Sequence, residues 1–486
     1  MRSFFGLVFV LGVALCMQSC DGKTELLEVD KIKGKDHFIA EFSLMIDGMS
    51  YPGAITGERI EVEIPESVDL KQASVQYALS EGATINPDPE AVKDWGKEWR
   101  FVVTSKSQER RVYLYTYRFA EDEGSVHLAT QQEVDDFAKS GIKDIKGNLI
   151  IGTPAGEEIK NLRGLENLRR VRRALVLNAS YKGEDLAGLE KLDTLGSFKM
   201  GTPMEVFGDS TVKTVSFPAL RCVTGDFFVN CRLVENISIP KVERIGGDLY
   251  LVSNELTNLG TTALKEVAGS CEVRGSVTGK WRNPLLQSFS KAETITFEAL
   301  ERVGGKLDIS LFSRVDGFNF PALKVVEGKI SVNLLSSLVE LTFPELISIG
   351  GFEIYLAGVL TKLQRVNFPR LKTCNGDFKV AERELTTLHT PMLMGINGSL
   401  GLEELKTEGI DFSALRDVKL IEVKNLPKLK DFSCFAPLFT NEVIKDKSQW
   451  SISDCGYNPT FDNMKKELYT KEKYDKYKAE HSDYND

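Results

Sequence analysis

The stretch FPALKVVEGKISV, residues 320–332, recurs in close copies along the chain. Recurrence of one short unit at a regular period is typical of a solenoid, in which each unit forms one coil. The spacing of the copies predicts about twelve coils, with weaker copies at both ends. The clearest further copies are FPALRCVTGDFFV (217–229), IPKVERIGGDLYL (239–251), FEALERVGGKLDI (297–309), FPELISIGGFEI (343–354) and FPRLKTCNGDFKV (368–380).

Each feature of the repeat has a physical role. Apolar residues two apart, as in G-x-L-x-V, place one face of a β-strand towards the interior. Proline cannot donate a ladder hydrogen bond, so Phe-Pro marks a corner between strands, and the phenylalanines are expected to stack in an interior column. The recurrent glycine permits a tight bend or a close approach to the neighbouring coil. These glycines are Gly225, Gly247, Gly269, Gly305, Gly328, Gly351, Gly376 and Gly398.

The repeat differs from that of ordinary leucine-rich repeats, which carry a regular inward asparagine that this chain lacks. It resembles instead the receptor L domain family over about residues 147–429, through the recurring text F-P-x-L-x-x-V-x-G-x-L-x-V. The resemblance implies a right-handed parallel β-helix, or leucine-rich-repeat-like solenoid. It also implies a protein that binds other proteins or contributes to adhesion and surface architecture, and not an enzyme. The predicted fold class is all-β, with helical caps.

The region before the repeats also reads as strands. Ile60, Val62 and Ile64 alternate with charged residues, and short strands separated by turn signals suggest a small immunoglobulin-like (Ig-like) β-sandwich over 37–119. Its order of strands resembles the Ig-like modules that follow the lipid anchor in bacterial surface lipoproteins, where they are usually spacers. Trp95 and Trp99 suggest either packing in the core or a sugar platform, and core packing is the preferred interpretation.

Two segments are predicted to close the ends of the solenoid. Thr130 and Glu133 form a T-x-x-E capping box, and Gly141 is placed to end the helix that follows. The helix is expected to cover the first coil, because a solenoid end otherwise exposes its interior. At the far end Cys434 and Cys455 flank a compact segment and are the preferred disulfide pair, whereas most other cysteines fall at repeat positions as small buried hydrophobes.

The N-terminus has the pattern of an export signal. Arg2 precedes an apolar run that is too short to span a bilayer. Cys20 follows a small residue and resembles the acylated cysteine of a bacterial lipobox; Cys16 is the rival position, and secretion without lipid is the alternative. The predicted domains are a signal peptide (1–19), a lipid-anchored tether (20–36), the Ig-like β-sandwich (37–119), an N-terminal helical cap (120–145), the solenoid (146–432), and a C-terminal cap with a charged helical tail (433–486).

Composition excludes several functions. A formal net charge of −9 and a pI of about 5.4 argue against nucleic-acid binding and against a basic membrane-docking face. Only four histidines occur and no cysteines form a CxxC pair, so no metal site and no cofactor are predicted. The expected location is the outer membrane or cell surface, with the membrane contacted through the lipid anchor alone.

Candidate ligand-binding residues come from two features. Phe228 and Tyr250 fall at equivalent outward positions of neighbouring coils, which predicts an aromatic pair on an exposed sheet. The interval between Gly269 and Gly305 is longer than its neighbours, and the inserted text includes Trp281 and Arg282. Long loops on a regular scaffold often carry function, and Trp and Arg are favoured contact residues. Burial of either feature under other parts of the chain is the alternative.

The same outward column contains a pair of carboxylates. Glu272 and Asp308 fall on adjacent coils, at a separation that would suit a retaining glycosidase, but the sequence indicates no Arg, His or aromatic cluster beside them. The preferred function is therefore a non-enzymatic surface lipoprotein that binds an extracellular protein or glycan. A structural spacer of the cell envelope is the first alternative, and a glycan-degrading β-helix enzyme is the second.

Overall fold

The computed structural model describes residues 38–46, 49–64, 70, 71, 73–119, 124–201, 211–275, 291–312, 314–355 and 361–481. The chain divides into two compact units, Met1–Asp122 and Glu123–Asp486. Strands dominate both units, and the second is a β-solenoid of about twelve turns, which confirms the predicted fold class. No helix among the described residues is both long enough and apolar enough to cross a membrane.

The first unit is built from seven strands. Hydrogen-bonded neighbours follow the order β4-β1-β2-β3-β7-β6-β5, and they are antiparallel except for the parallel pair β3 and β7. A short 3-10 helix, Pro89–Ala91, precedes β6. The strands are β1 (Ile39–Ile46), β2 (Met49–Thr56), β3 (Arg59–Ile64), β4 (Ser74–Leu79), β5 (Thr84–Asn86), β6 (Trp99–Thr104) and β7 (Arg110–Phe119).

Strand β2 joins two sheets that enclose the core of this unit. Its first half pairs with β1, and its second half, from Gly53 onwards, pairs with β3. A side chain at Gly53 would press on Ile60 and Phe42, so the strand changes sheets where no Cβ is present. Phe42 on β1 packs against Trp95 with ring centroids 5.6 Å apart. Trp95 is fully buried, as the core interpretation predicted.

The second unit contains the remaining strands and all the α-helices of the described chain. The strands are β8 (Val126–Leu128), β9 (Asp144–Ile145), β10 (Leu149–Ile151), β11 (Arg170–Leu177), β12 (Thr194–Met200), β13 (Thr214–Ser216), β14 (Cys222–Val223), β15 (Phe227–Asn230), β16 (Asn236–Ser238), β17 (Arg244–Ile245), β18 (Leu249–Val252), β19 (Asn258–Gly260), β20 (Glu266–Val267), β21 (Cys271–Arg274), β22 (Thr294–Thr296), β23 (Arg302–Val303), β24 (Leu307–Phe312), β25 (Gly317–Asn319), β26 (Val325–Leu335), β27 (Glu340–Thr342), β28 (Ser348–Tyr355), β29 (Arg365–Asn367), β30 (Thr373–Cys374), β31 (Phe378–Ala381), β32 (Thr387–His389), β33 (Gly395–Glu403), β34 (Asp417–Lys424) and β35 (Trp450–Ser453).

Equivalent strands of successive coils pair in parallel and form three sheets. The largest has 20 strands and collects the strands on either side of the repeat glycine. The others are the short sheets β13-β16-β19 and β22-β25-β27-β29-β32, which precede the Phe-Pro corners. One continuous cluster of buried side chains runs through the unit from Leu128 to Met464.

The interior phenylalanines form the predicted column. Phe297, Phe320, Phe343 and Phe368 begin four consecutive copies of the repeat, and all are buried. Successive rings are stacked, with centroids 5.4, 5.6 and 5.4 Å apart. Because the strand spacing brings identical positions about 4.8 Å apart, the aromatic ring of each coil stacks directly on the ring of the next.

The repeat glycines allow the close approach that the sequence predicts. A Cβ placed on Gly328 would lie 2.6 Å from the carbonyl carbon of Gly305 in the preceding coil. The amide of Gly328 donates a hydrogen bond to the Gly305 carbonyl at 2.9 Å. The bend therefore stacks backbone directly on backbone, and a side chain there would separate the coils.

Short helices lie at both ends of the solenoid. They are α1 (Gln131–Phe137), α2 (Ala436–Thr440), α3 (Phe461–Lys465) and α4 (Lys471–Glu480), with 3-10 turns at Ala138–Ser140, Arg163–Leu165, Ser433–Phe435 and Lys447–Gln449. The predicted capping box at α1 is present: the Thr130 hydroxyl accepts from the amide of Glu133, and the Glu133 carboxylate accepts from the amide of Thr130. Gly141 is left-handed, with φ of 68°, and Val134 is buried in the solenoid core.

Candidate functional site

The outward column predicted from the repeat is the column that the structure shows. Lys199, Phe228, Tyr250, Glu272 and Asp308 are register partners on β12, β15, β18, β21 and β24. In β15, Phe227 and Val229 point into the core while Phe228 between them is half-exposed. The alternation of strand side chains therefore places one amine, two aromatic rings and two carboxylates in a row on the outer face of the large sheet.

Phe228 and Tyr250, the aromatic pair, are stacked face to face. Their ring centroids are 4.4 Å apart and their planes differ by 2°. Two parallel rings at this distance must overlap, since coplanar rings side by side would be further apart. Each ring therefore covers one face of the other, and both are half-exposed. The Tyr250 hydroxyl makes no hydrogen bond to any described residue.

An arginine joins the two carboxylates next to this pair. Nη2 of Arg274 lies 2.6 Å from Oε2 of Glu272 and 2.6 Å from Oδ2 of Asp308. Nζ of Lys306 lies 2.7 Å from Oε1 of Glu272. The side chains of Glu272 and Asp308 are each 13% exposed, and Arg274 is 28% exposed. We call Glu272, Arg274, Lys306 and Asp308 the acid–arginine cluster.

The acid–arginine cluster corrects the expectation that no cationic or aromatic group lies beside the carboxylates. Arg274 follows Glu272 by two residues on β21, and Lys306 precedes Asp308 by two, so each shares the outward face of its carboxylate. Arg274 also lies 6.0 Å from the centroid of the Tyr250 ring. Reading along each strand at a period of two, as well as across the coils, would have predicted this cluster.

The electrostatics of the site link its two halves. Partial burial raises the pKa of Tyr250, with Arg274 acting in the opposite direction. Burial lowers the pKa of Arg274, but the carboxylates of Asp308 and Glu272 outweigh burial and raise it overall. Arg274 is therefore permanently charged and held in place by two anions, which fixes the surface next to the Tyr250 ring.

The aromatic pair and three members of the acid–arginine cluster, Glu272, Arg274 and Lys306, line one open depression, the groove, with a volume of about 600 Å³. The groove crosses several coils on the outer face of the large sheet. Its size and its mixture of aromatic and hydrogen-bonding groups suit a small polar ligand or a segment of a longer one. Its remaining lining residues are Lys199, Gly201, Asp226, Asp248 and Leu249.

Three predicted residues lie outside the described part of the chain: Cys20, the lipid-attachment candidate, and Trp281 and Arg282 of the insertion. The insertion leaves β21 just after Arg274, through Gly275. The chain therefore connects the acid–arginine cluster directly to the segment that carries the other two candidate contact residues.

The predicted disulfide is not formed in the structure. Cys434 and Cys455 are both free thiols that pack against the solenoid core. Burial raises the pKa of the Cys434 thiol to about 12 and also raises that of Cys455. The Cys455 Sγ donates to the carbonyl of Ser453 at 3.3 Å. The segment is held by core packing instead, with Trp450 buried and its Nε1 donating to the carbonyl of Pro459.

Within the described ranges, no three His, Cys, Asp or Glu side chains are grouped so that they could hold a metal ion.

Trp99, the other tryptophan of the first unit, donates from Nε1 to the carbonyl of Asp94. It is half-exposed and packs against the core of that unit. Trp95 forms no open platform, because it is enclosed by Phe42, Phe101 and Tyr115.

The first unit is similar to a known family. Residues 39–117 match the family model described as SGBP, N-terminal. The family is that of glycan-binding proteins at the bacterial surface. The matched residues run from β1 to β7 and do not include the solenoid. No curated protein matches the chain.

Proposed function

We propose that the chain is a non-enzymatic glycan-binding protein of the cell surface, and that the solenoid groove is its binding site. The observation that carries this proposal is the stacked aromatic pair beside a fixed hydrogen-bonding cluster, in a protein whose first unit resembles that of surface glycan-binding proteins. Aromatic rings pack against the apolar faces of sugars, and charged side chains hydrogen-bond to sugar hydroxyls.

The site is tested by measuring the affinity of the full chain for a polysaccharide panel by affinity electrophoresis and calorimetry. We expect at least one glycan to bind, and Phe228→Ala or Tyr250→Ala to weaken that binding by about tenfold, the effect typical of a central contact residue. Tyr477→Ala is the matched control, because it removes a half-exposed aromatic ring from α4, far from the groove in sequence. Circular dichroism checks that each variant keeps the wild-type fold.

The alternatives give different results in the same assay. A structural spacer would bind no member of the panel. A protein ligand would leave the glycan panel negative while the groove variants weaken binding to a host or envelope protein. A glycan-degrading enzyme would release reducing ends, and this release would disappear in Glu272→Gln, Asp308→Asn. In the structure both carboxylates are held by one arginine nitrogen, which favours a binding role for them.

We further propose that Cys20 is lipid-modified and holds the protein at the outer membrane. The support is the export-signal pattern of the sequence together with the match of residues 39–117 to a family of bacterial surface proteins. Metabolic labelling with a radioactive fatty acid should label the wild type, whereas Cys20→Ala should lose the label and move from the membrane fraction to the soluble fraction. Labelling that persists in Cys20→Ala would contradict this assignment and direct attention to Cys16.

A further inference from the structure

The groove has little free positive charge. Arg274 is bound by two carboxylates and Lys306 is bound by one of them, so both cations are already paired. Of the described residues that line the groove, Lys199 is the remaining cation, and it is exposed at one end. The groove and the acid–arginine cluster together carry three cations, Lys199, Arg274 and Lys306, and four anions, Asp226, Asp248, Glu272 and Asp308.

Two of the anions are fixed by backbone groups and cannot turn away. Oδ1 of Asp226 accepts from the amide of Asp248 at 2.9 Å, and Oδ1 of Asp248 accepts from the amide of Ser270 at 2.6 Å. Away from Lys199 at its end, an acidic ligand in the groove would have to break the Arg274 and Lys306 ion pairs or remain unpaired near these carboxylates. Like charges juxtaposed in a recognition site are a common way of rejecting a wrong ligand.

The geometry of the aromatic pair leaves one ring face for a ligand. Tyr250 has Phe228 on one face and Arg274 towards the other. Phe228 has Tyr250 on one face, and its other face looks along the column towards Lys199. Gly201, which follows β12 and lines the groove at that end, has no side chain to fill the space. Among the described residues, Phe228 therefore offers the open face, and the Tyr250 hydroxyl is a polar group that hydrogen-bonds to none of them.

We propose that the groove selects an uncharged glycan, with one sugar ring stacked on the free face of Phe228 and its hydroxyls bonded to the Tyr250 hydroxyl and the acid–arginine cluster. This inference rests on the proposed function and adds the ligand class and the roles of the two rings. Phe228 is the stacking residue. Tyr250 supports Phe228 and supplies a hydrogen bond, and the acid–arginine cluster both orients hydroxyls and rejects anions.

The experiment uses the full chain with the neutral polysaccharide that binds best and with the carboxymethylated derivative of that same polysaccharide. Carboxymethylation should weaken binding by about tenfold or more, because it adds anions without changing the sugar backbone. Affinity for the parent should change by less than about twofold between low and high salt, since no ligand charge is screened.

Substitutions distinguish the roles of the two aromatic rings and of the acid–arginine cluster. Phe228→Leu, which keeps an apolar side chain but removes the ring face, should weaken binding by about tenfold, whereas Tyr250→Phe, which keeps the stack, should weaken it only a few-fold. Glu272→Gln, Asp308→Asn should raise affinity for the carboxymethylated derivative and make that affinity dependent on salt. Lys379→Ala, on the same outward column at β31, is the control and should change neither affinity.

The outcomes distinguish this inference from the proposed function. Preferential, salt-dependent binding of the acidic derivative by the wild type would overturn the inference while leaving glycan binding intact. Unchanged affinity in Phe228→Leu would also overturn it, by showing that the sugar binds elsewhere. Failure to bind any neutral or acidic glycan would contradict the proposed function itself, and the inference would fail with it.

Discussion

Asp144 on β9 lies between two arginines of the next coil, and its ionisation makes the free energy of unfolding depend on pH. Nη2 of Arg172 and Nη2 of Arg170 lie 2.8 and 3.0 Å from its Oδ2. These hydrogen bonds, with the Arg172 bond contributing most, lower the pKa of Asp144 from 3.8 to about 2. A carboxyl whose pKa is lowered on folding stabilises the native state above its unfolded pKa, and that contribution is lost as pH falls towards the folded value.

We therefore expect Asp144→Asn to lower the free energy of unfolding at pH 7. The difference from the wild type should stay constant down to about pH 5 and should shrink between about pH 4 and pH 2, where wild-type Asp144 becomes protonated. Urea unfolding at a series of pH values measures both the difference at neutral pH and its decrease at acidic pH. Because the arginines are about half-exposed, added salt should reduce the difference at neutral pH. A difference that grows below pH 4 would contradict this explanation.

The position of the candidate site was predictable at residue level only in part. The repeat determines which residues share an outward column. The sequence alone therefore predicted that one column contains Phe228, Tyr250, Glu272 and Asp308. Arg274 was missed because the prediction followed the column across coils and not the strand along its length. The face-to-face stacking was not predictable, because it depends on side-chain torsion angles that the repeat does not determine.

At the scale of the coil, some coils carry a second glycine directly before the repeat glycine, and Gly246, before Gly247, is one that lets neighbouring coils approach. A Cβ on Gly246 would lie 2.0 Å from the carbonyl oxygen of Thr224, which is a backbone atom and cannot move aside alone. We expect Gly246→Ala to lower the free energy of unfolding by about 1–3 kcal/mol, as overpacking does. Gly395→Ala is the matched control, because a Cβ there meets no atom within 4 Å.

The two alanine variants are compared by chemical denaturation. Gly395→Ala should change the free energy of unfolding by less than about 1 kcal/mol, since only the conformational freedom of the unfolded chain is altered. Equal losses in both variants would mean that glycine is required for backbone conformation and not for the approach of the coils.

The phenylalanine column is a second feature that stabilises the stacked coils. Phe343 is fully buried between Phe320 and Phe368, with centroids 5.6 and 5.4 Å away. Phe343→Ala should lower the free energy of unfolding by about 3–5 kcal/mol, because it removes a buried ring and leaves a cavity between two coils. Phe228→Ala removes the same side chain from a half-exposed site and should cost much less. Thermal melts of the two variants measure the contrast, which equal melting temperatures would contradict.

At the scale of the whole molecule, the sequence predicted two folded units in this order. The alternating strands before residue 120 define one hydrophobic core, and the repeats define another. The structure shows two separate hydrophobic cores, one in each unit. The disulfide expected near the C-terminus is not formed in the structure, because two cysteines that flank a segment do not determine how the segment folds. There Phe435 and Phe439 pack against Trp450, with ring centroids 5.6 and 5.1 Å away.

The two cores allow the binding function to be assigned to one unit by a matched pair of substitutions. Phe101 is fully buried in the first unit, with its ring centroid 6.4 Å from that of Phe42. Phe101→Leu should lower the stability of that unit by about 1 kcal/mol and leave the affinity for glycan within about twofold of the wild type. Phe228→Leu should do the reverse, weakening glycan binding about tenfold with little change in thermal unfolding. Calorimetric binding and melting of both full-length variants test this assignment. A loss of affinity in Phe101→Leu and none in Phe228→Leu would place the glycan site in the first unit, because the same chemical change would then matter only there.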